Sequence, residues 1–189
     1  MSLLVRPERP DSPGEAAAVR ALTAAAFAGV PHSAPPADGT QDPGEAALVG
    51  WLREDAGYIP ELALVAEEDG AVVGHSITTR GWLDPHDGGL AVPALGLGPI
   101  SVRPDRQRRG IGAALLEATA AEAEALGERF IALLGDPAYY GRHGWEPATR
   151  HGIAAPEPAW GDYFQVRLLA AHDGARGTFR YAAPFARFS

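Results

Sequence analysis

The sequence predicts a mixed α/β fold of the α+β kind. One domain over residues 1–189 is expected, with a twisted, mostly antiparallel sheet of about seven strands and helices on both faces. Three observations carry that expectation. Residues 95–134 read as an apolar strand, a glycine-bearing turn, a helix and a second strand, which is a β-α-β unit. Residues 62–79 switch to short strand-like runs around a polar turn at 67–70, a hairpin signal. Residues 11–54 instead carry apolar side chains at helical spacing.

Taken in order, residues 3–6 are a short strand. Asp11-Ser12-Pro13 starts a helix, with proline tolerated in the first turn, and Val19, Leu22, Ala26 and Phe27 mark its apolar face. Residues 29–44 are rich in proline and glycine and predict a loop, long enough to suggest a functional one. A second helix follows over 45–54, with Leu48, Trp51 and Leu52 on one face. The hairpin strands cover 62–66 and 71–79, and a turn at 84–89 leads into a strand over 90–102. Gly98-Pro99 interrupts that strand; proline cannot donate to a ladder, so a bulge or an edge is expected there. The main helix, 111–126, buries Ile111, Leu115 and Ala118, and Gly127 suits the position just past its end. A strand at 130–134 is followed by Asp136, placed to cap a short helix that begins at Pro137. Residues 164–169 and 178–181 are closing strands around a turn at Asp173-Gly174.

The run Gln107-Arg108-Arg109-Gly110-Ile111-Gly112-Ala113 is the most informative. The first N–H groups of a helix have no intrahelical partner, and the macrodipole adds partial positive charge. An anion such as a pyrophosphate can fill that socket. Gly110 and Gly112 read as keeping side-chain bulk away from the phosphate and allowing positive φ. Downstream, Gly135-Asp136-Pro137-Ala138-Tyr139-Tyr140-Gly141-Arg142-His143-Gly144-Trp145 places an aromatic-Tyr-x-x-x-Gly-aromatic segment after the next strand.

With both motifs in this order, the chain resembles the GNAT superfamily of acetyl-CoA-dependent N-acetyltransferases. The likeness is sharpest over 95–145 and loose before residue 60. It implies a GNAT-like fold and acetyl-CoA as co-substrate, with Gln107, Arg108, Arg109, Gly110, Ile111, Gly112 and Ala113 at the CoA pyrophosphate. One of Arg106, Arg108 and Arg109 would meet the 3′-phosphate. The backbone of Ile100, Ser101 and Val102 would pair with pantetheine and the acetyl carbonyl, as a strand would. Tyr140 matches the family tyrosine that protonates the departing thiolate. An unperturbed tyrosine has a pKa of ~10 against ~8.5 for a thiol, so the phenol is protonated at neutral pH. Tyr139 is expected to be a core aromatic with Trp145 beneath it.

Bulk numbers exclude several classes. The formal net charge of −8 argues against a nucleic-acid surface. There are no cysteines, which removes disulfides, thiolate metal sites and a cysteine nucleophile and fits a reducing cytoplasm. No signal peptide and no apolar run of membrane-spanning length are apparent, so a cytoplasmic location without a membrane partner is expected. Every basic residue is arginine. No Walker A motif, dinucleotide fingerprint or Gly-x-Ser-x-Gly elbow occurs. The six histidines form no His-x-x-x-His pair, so no metal is expected.

The reaction the resemblance implies is acetyl transfer from acetyl-CoA to a primary amine by direct attack. The acceptor is expected to be an amine-bearing small molecule or a protein N-terminus or lysine, and the resemblance implies that it binds beside the 29–44 loop. The base is open among His75, Glu61, Glu67, Asp136 and a water chain. The sequence is compatible with a homodimer. The alternative is a non-catalytic acyl-CoA-binding sensor of the same fold.

Overall fold

Ser12 caps the first helix, accepting from the Glu15 N–H at 3.3 Å with Pro13 in the first turn, as the sequence requires. A computed structural model describes residues 3–9, 11–37 and 39–188; Met1 and Ser189, the ends of the expected domain, lie outside the described residues. The principal elements are β1 (Leu3–Pro7), α1 (Pro13–Phe27), α2 (Gly44–Glu54), β2 (Tyr58–Glu68), β3 (Ala71–Asp84) and β4 (Val92–Val102). They continue with α3 (Ile111–Ala125), β5 (Phe130–Leu134), α4 (Pro137–Tyr140), β6 (Glu146–Pro147), β7 (Ile153–Ala154), β8 (Phe164–Leu168) and β9 (Gly177–Arg180). A 3-10 turn, Pro104–Arg106, joins β4 to α3, and another, Ala183–Phe188, follows β9.

The nine strands form one mixed sheet in the order β1-β2-β3-β4-β5-β8-β6, with β9 pairing the far end of β3 and β7 pairing β9. Only β4–β5 and β7–β9 are parallel. The β2–β3 hairpin turns through Asp69 and Gly70, both at positive φ (48° and 81°), the geometry that matches the twist of paired strands. Helices cover both faces, as expected. Leu64, Ala66 and Val73 pack against Ile111 and Leu115 of α3. Ala63, Val65 and Ile77 pack against Val19 of α1 and Leu48 and Leu52 of α2. Successive residues of β2 therefore feed opposite cores, which is why 62–66 is apolar without alternation.

The long central helix ends as its sequence says. Gly127 sits at φ +74°, and the Glu128 N–H reaches back to the Ala123 carbonyl at 3.0 Å. Two strands escaped the sequence reading, because β6 and β7 are two residues each and carry no period. The closing strands β8 and β9 do not pair with each other. β8 lies between β5 and β6, while β9 extends the sheet beside Trp82–Asp84 of β3. That placement brings the C-terminal residues over the centre of β4, where a Cβ on Gly96 would stand 2.7 Å from the Tyr181 ring.

Candidate active site

The site begins with a break in β4. Ser76 opposes Ile100 and Thr78 opposes Leu97, so β4 carries an extra residue across Gly98-Pro99. This is the expected bulge, and Gly98 takes φ +154°, which glycine adopts most readily. On the other side, β4 pairs with β5 only at Leu95 and Gly96. Beyond Gly96 the two parallel strands splay apart.

Alternation decides which groups the splay leaves open. The Arg103 N–H bonds the Val73 carbonyl at 2.9 Å, so Arg103 and, two residues back, Ser101 direct their backbone groups to β3. Ile100 and Val102 direct theirs away from β3, into the gap. The Val102 carbonyl already accepts from Gln107 Nε2 at 3.2 Å. Ser101 differs from its two neighbours: its hydroxyl is buried against Thr23 Oγ1 at 3.1 Å, on the α1 side. Of the three expected strand residues, two face the opening with their main chain and one does not.

At the start of α3, Gly110 is the cap residue at φ +83° and Arg108 is at φ +61°. The first helical bond runs from the Ala114 N–H to the Gly110 carbonyl at 2.9 Å. No side chain caps the helix, and the N–H groups of Ile111, Gly112 and Ala113 have no acceptor among the described residues. The two glycines serve different ends. A Cβ on Gly110 would meet nothing within 4 Å, so its need is conformational. Gly112 lies inside the helix, and a Cβ there would stand 2.7 Å from Tyr139 Oη. The expectation of positive φ at both is corrected for Gly112: packing against Tyr139 explains it. Among the nearby arginines, Arg106 is engaged by Glu68 at 3.1 Å and Asp105 at 3.2 Å. Arg108 and Arg109 are exposed and make no ion pair among the described residues.

Asp136 caps α4 through the Ala138 N–H at 2.9 Å, which presents Tyr139 and Tyr140 side by side. The packing expected of Tyr139 falls to Tyr140 instead. Tyr139 is 38% exposed and lies across the start of α3, its ring 5.1 Å from His143. Tyr140 is the one that packs on Trp145, with ring centroids 6.1 Å apart. A Cβ on Gly135 would overlap the Tyr140 ring, so glycine there makes the slot. Burial, reinforced by the neighbouring Tyr139 hydroxyl, pushes the Tyr140 phenol well above the ordinary tyrosine value.

Tyr140, Pro99 and Ile100 line a cleft of ≈ 940 Å³. Its far walls come from the 32–35 loop, Glu45 of α2, Trp160, and Tyr181 to Phe188. Tyr181, Phe185, Trp160 and Glu45 had no chemical reading in the sequence. The aromatics carried no signal beyond their type, which reads as core, and Glu45 read as a helix start. Tyr181 lies near enough to Tyr140 for the two hydroxyls to interact, and burial pushes its phenol upward too.

None of the candidate bases lines this cleft. Glu67 pairs with Arg6 at 2.8 Å, Asp136 is the cap just described, and Glu61 is exposed on β2. His75 is fully buried under α1, where its Nε2 pairs with Glu8, and Arg53 clamps the same carboxylate with two bonds of 2.9 Å. Burial lowers the His75 pKa, so the ring is a neutral Nε2–H donor. Burial pushes the Glu8 carboxyl up, but the His75 and Arg53 hydrogen bonds win and hold it at about 2. Both shifts make the unfolded chain bind protons first. Stability is therefore expected to fall in two stages on acidification, from below pH 6.5 as unfolded His75 protonates, then between about pH 4.5 and 2 as the Glu8 contribution is lost. Urea titrations at stepped pH would read this, and His75→Gln should shrink the upper stage, leaving the part that His172 contributes, and change the lower stage less.

Among the described residues there is no group of three metal-ligating side chains, and no helix is long and apolar enough to cross a membrane. Residues 60–147 match the family model for an acetyltransferase (GNAT) domain. The chain is 33% identical over 147 residues to the Escherichia coli K12 protein YhbS, an uncharacterized N-acetyltransferase, covering 76% of this chain and 84% of that one. It is 36% identical over 116 residues to YjhQ of the same organism, also an uncharacterized N-acetyltransferase, where the match covers 60% of this chain and only 62% of YjhQ. A crystal structure of a GNAT family acetyltransferase from Brucella melitensis with acetyl-CoA superposes at a TM-score of 0.74, with 34% identity over 97% of this chain and 98% of that one. The structure of YhbS from E. coli with CoA superposes at 0.78, with 29% identity over 99% and 93%. These likenesses fix the class as an acyltransferase of mixed α/β fold. The chain belongs to the GNAT family of N-acetyltransferases.

Proposed function

We propose that this protein transfers an acetyl group from acetyl-CoA to a primary amine. The observation that carries the reading is the pairing of two open backbone sites: the free amides at the start of α3 and the main chain of Ile100 and Val102 beside the splay. The first suits a diphosphate, and the second suits the amides of a pantetheine arm laid down as a missing strand. Gln107, Arg108, Arg109, Gly110, Ile111, Gly112 and Ala113 would hold the diphosphate, with Arg108 or Arg109 free to meet a further phosphate.

Bound acetyl-CoA supplies an acetyl group activated as a thioester. The chain's part is electrostatic and positional. A main-chain N–H of β4 next to the bulge polarises the carbonyl in the manner of an oxyanion hole. Tyr140 Oη gives its proton to the departing sulfur; its raised pKa keeps the phenol protonated across the working pH range but makes it a weaker acid. The amine loses its own proton to water in the cleft, since the protein's candidate bases lie elsewhere.

Calorimetric titration with acetyl-CoA should show saturable binding in the micromolar range, and CoA release should follow with some member of an amine panel. Absence of binding would defeat the reading, and binding without release from any amine would leave a sensor in its place. Gly112→Ala is expected to weaken acetyl-CoA binding about tenfold, because the new Cβ displaces Tyr139 and crowds the amide socket. Gly110→Ala should cost about 1–2 kcal/mol of stability through its left-handed conformation. An unchanged Kd for Gly112→Ala would remove the socket from the binding site.

A further inference from the structure

The cleft that Tyr140 lines also holds a carboxylate whose bonding is half complete. Glu45 sits in the first turn of α2 and lines the cleft. Its Oε1 accepts the Ala34 N–H at 2.7 Å and so ties down the loop before α2. Its Oε2 is buried and has no hydrogen-bond partner among the described residues, although the residue as a whole is only partly buried. A carboxylate has about four lone-pair sites, and a buried one left open is costly, although the helix start offsets part of that cost. The remaining charges of the cleft do not compensate it. Arg180, the one arginine in the wall among the described residues, is held by Asp84 at 3.0 and 3.2 Å.

Around this carboxylate the cleft is apolar and aromatic, with Phe27, Leu48, Tyr181, Phe185 and Phe188 in its wall. Phe185 lies against Tyr181 with ring centroids 4.7 Å apart. Phe188 closes over the start of α2, where a Cβ on Gly44 would stand 2.6 Å from the Pro35 carbonyl. The volume of ≈ 940 Å³ is that of a small-molecule site. An anion set in an apolar wall selects a ligand with one cationic end and an apolar body.

Resting on the transferase reading, we infer that the acceptor is a small ammonium compound with an aromatic or aliphatic body, and that Glu45 Oε2 receives its ammonium on entry. Glu45 thus selects and positions the acceptor, before the amine gives up a proton and turns to the thioester.

The test uses 2-phenylethylamine and its neutral counterpart 2-phenylethanol, titrated calorimetrically into the full chain at pH 7.5, with and without CoA. The wild type should bind the amine at least about tenfold more tightly than the alcohol, the margin of a charge-assisted over a neutral hydrogen bond. Glu45→Gln keeps an oxygen for the Ala34 N–H and removes only the charge, so its Tm should hold while the preference for the amine disappears. Glu45→Asp, which keeps the charge on a shorter arm, should restore part of it. In turnover, Glu45→Gln should raise the amine KM about tenfold with kcat changed less than threefold. Equal binding of the two compounds by the wild type, no amine binding, or an undiminished preference in Glu45→Gln would overturn the inference. Acetyl-CoA affinity is read separately, so its loss would defeat the transferase reading alone, while the contrast between amine and alcohol still decides this one.

Discussion

Tyr140→Phe should lower kcat by about two to three orders of magnitude while leaving the acetyl-CoA Kd within roughly threefold. The substitution removes one oxygen and nothing else of consequence. The ring keeps its slot over Gly135 and its contacts with Trp145 and Tyr139, so no cavity forms and the Tm should stay within about 2 °C. The bulge in β4 and the amides of α3 are untouched, so ground-state binding survives. What is lost is the proton donor at the departing sulfur, an interaction made in the transition state alone. The raised Tyr140 pKa adds a second expectation: kcat should not fall on the alkaline side as the pH passes ~10, where an unperturbed tyrosine would ionise. Tyr181 is the control, since its hydroxyl lies nearby. Tyr181→Phe should leave kcat within about threefold. A Tyr140→Phe enzyme with more than a third of wild-type kcat would remove Tyr140 from the role, and a large loss in Tyr181→Phe would move the role there.

The largest expected effect on stability lies outside the cleft. Arg53→Met keeps the packing stem but strips the Glu8 carboxylate, whose side chain is only 5% exposed, of its counter-charge. His75 cannot replace Arg53 without becoming charged in a fully buried position, and Glu8 cannot stay ionised cheaply without it. A loss of about 3 kcal/mol is expected, and a fall in Tm of roughly 6–12 °C. The pH dependence supplies an independent check. Glu8 is held at about 2, below the ordinary carboxylate value, so its contribution is present above pH ~4.5 and lost on the way down to 2. Without Arg53 that carboxyl rises, and the slope of stability against pH in that window should flatten. Equilibrium urea unfolding of both proteins between pH 2.5 and 7.5 would measure it. A loss below about 1 kcal/mol with an unchanged slope would show that Arg53 is not what holds Glu8 ionised.

The Tyr139–Tyr140 pair marks where local reading gives out. Both residues stand on a four-residue helix whose start was legible, because Asp136 and Pro137 announce it and the cap bond forms as expected. Neighbouring residues on a helix point about 100° apart, so one had to face the core and the other the start of α3. Which was which depended on how α4 docks. The empty position at Gly135 settled that in favour of Tyr140, and Tyr139 fell across Gly112. Ser101 is turned from the opening for a related reason. The motif located its strand, but the register against β3 turned its backbone to His75 and its hydroxyl to Thr23.

Glu45 was read as the first residue of a helix, which it nearly is, and Tyr181 as the last of a closing strand. Neither carries a local mark of chemistry. Both line the same cleft as Tyr140, and Tyr181 reaches it because β9 joins the far end of β3 and carries the C-terminal residues back across β4.

By itself the sequence determined most of the elements and their local marks: helix caps, the hairpin turn, the interruption at Gly98-Pro99 and the bare start of α3. Each is written in a few consecutive residues, because backbone hydrogen bonds and positive φ are satisfied within a turn or two of chain. Only the tertiary structure decided the cleft, the slot that holds Tyr140 and the unpartnered carboxylate. Those depend on which distant side chains share one space, and packing sets that globally, after the local rules have been met.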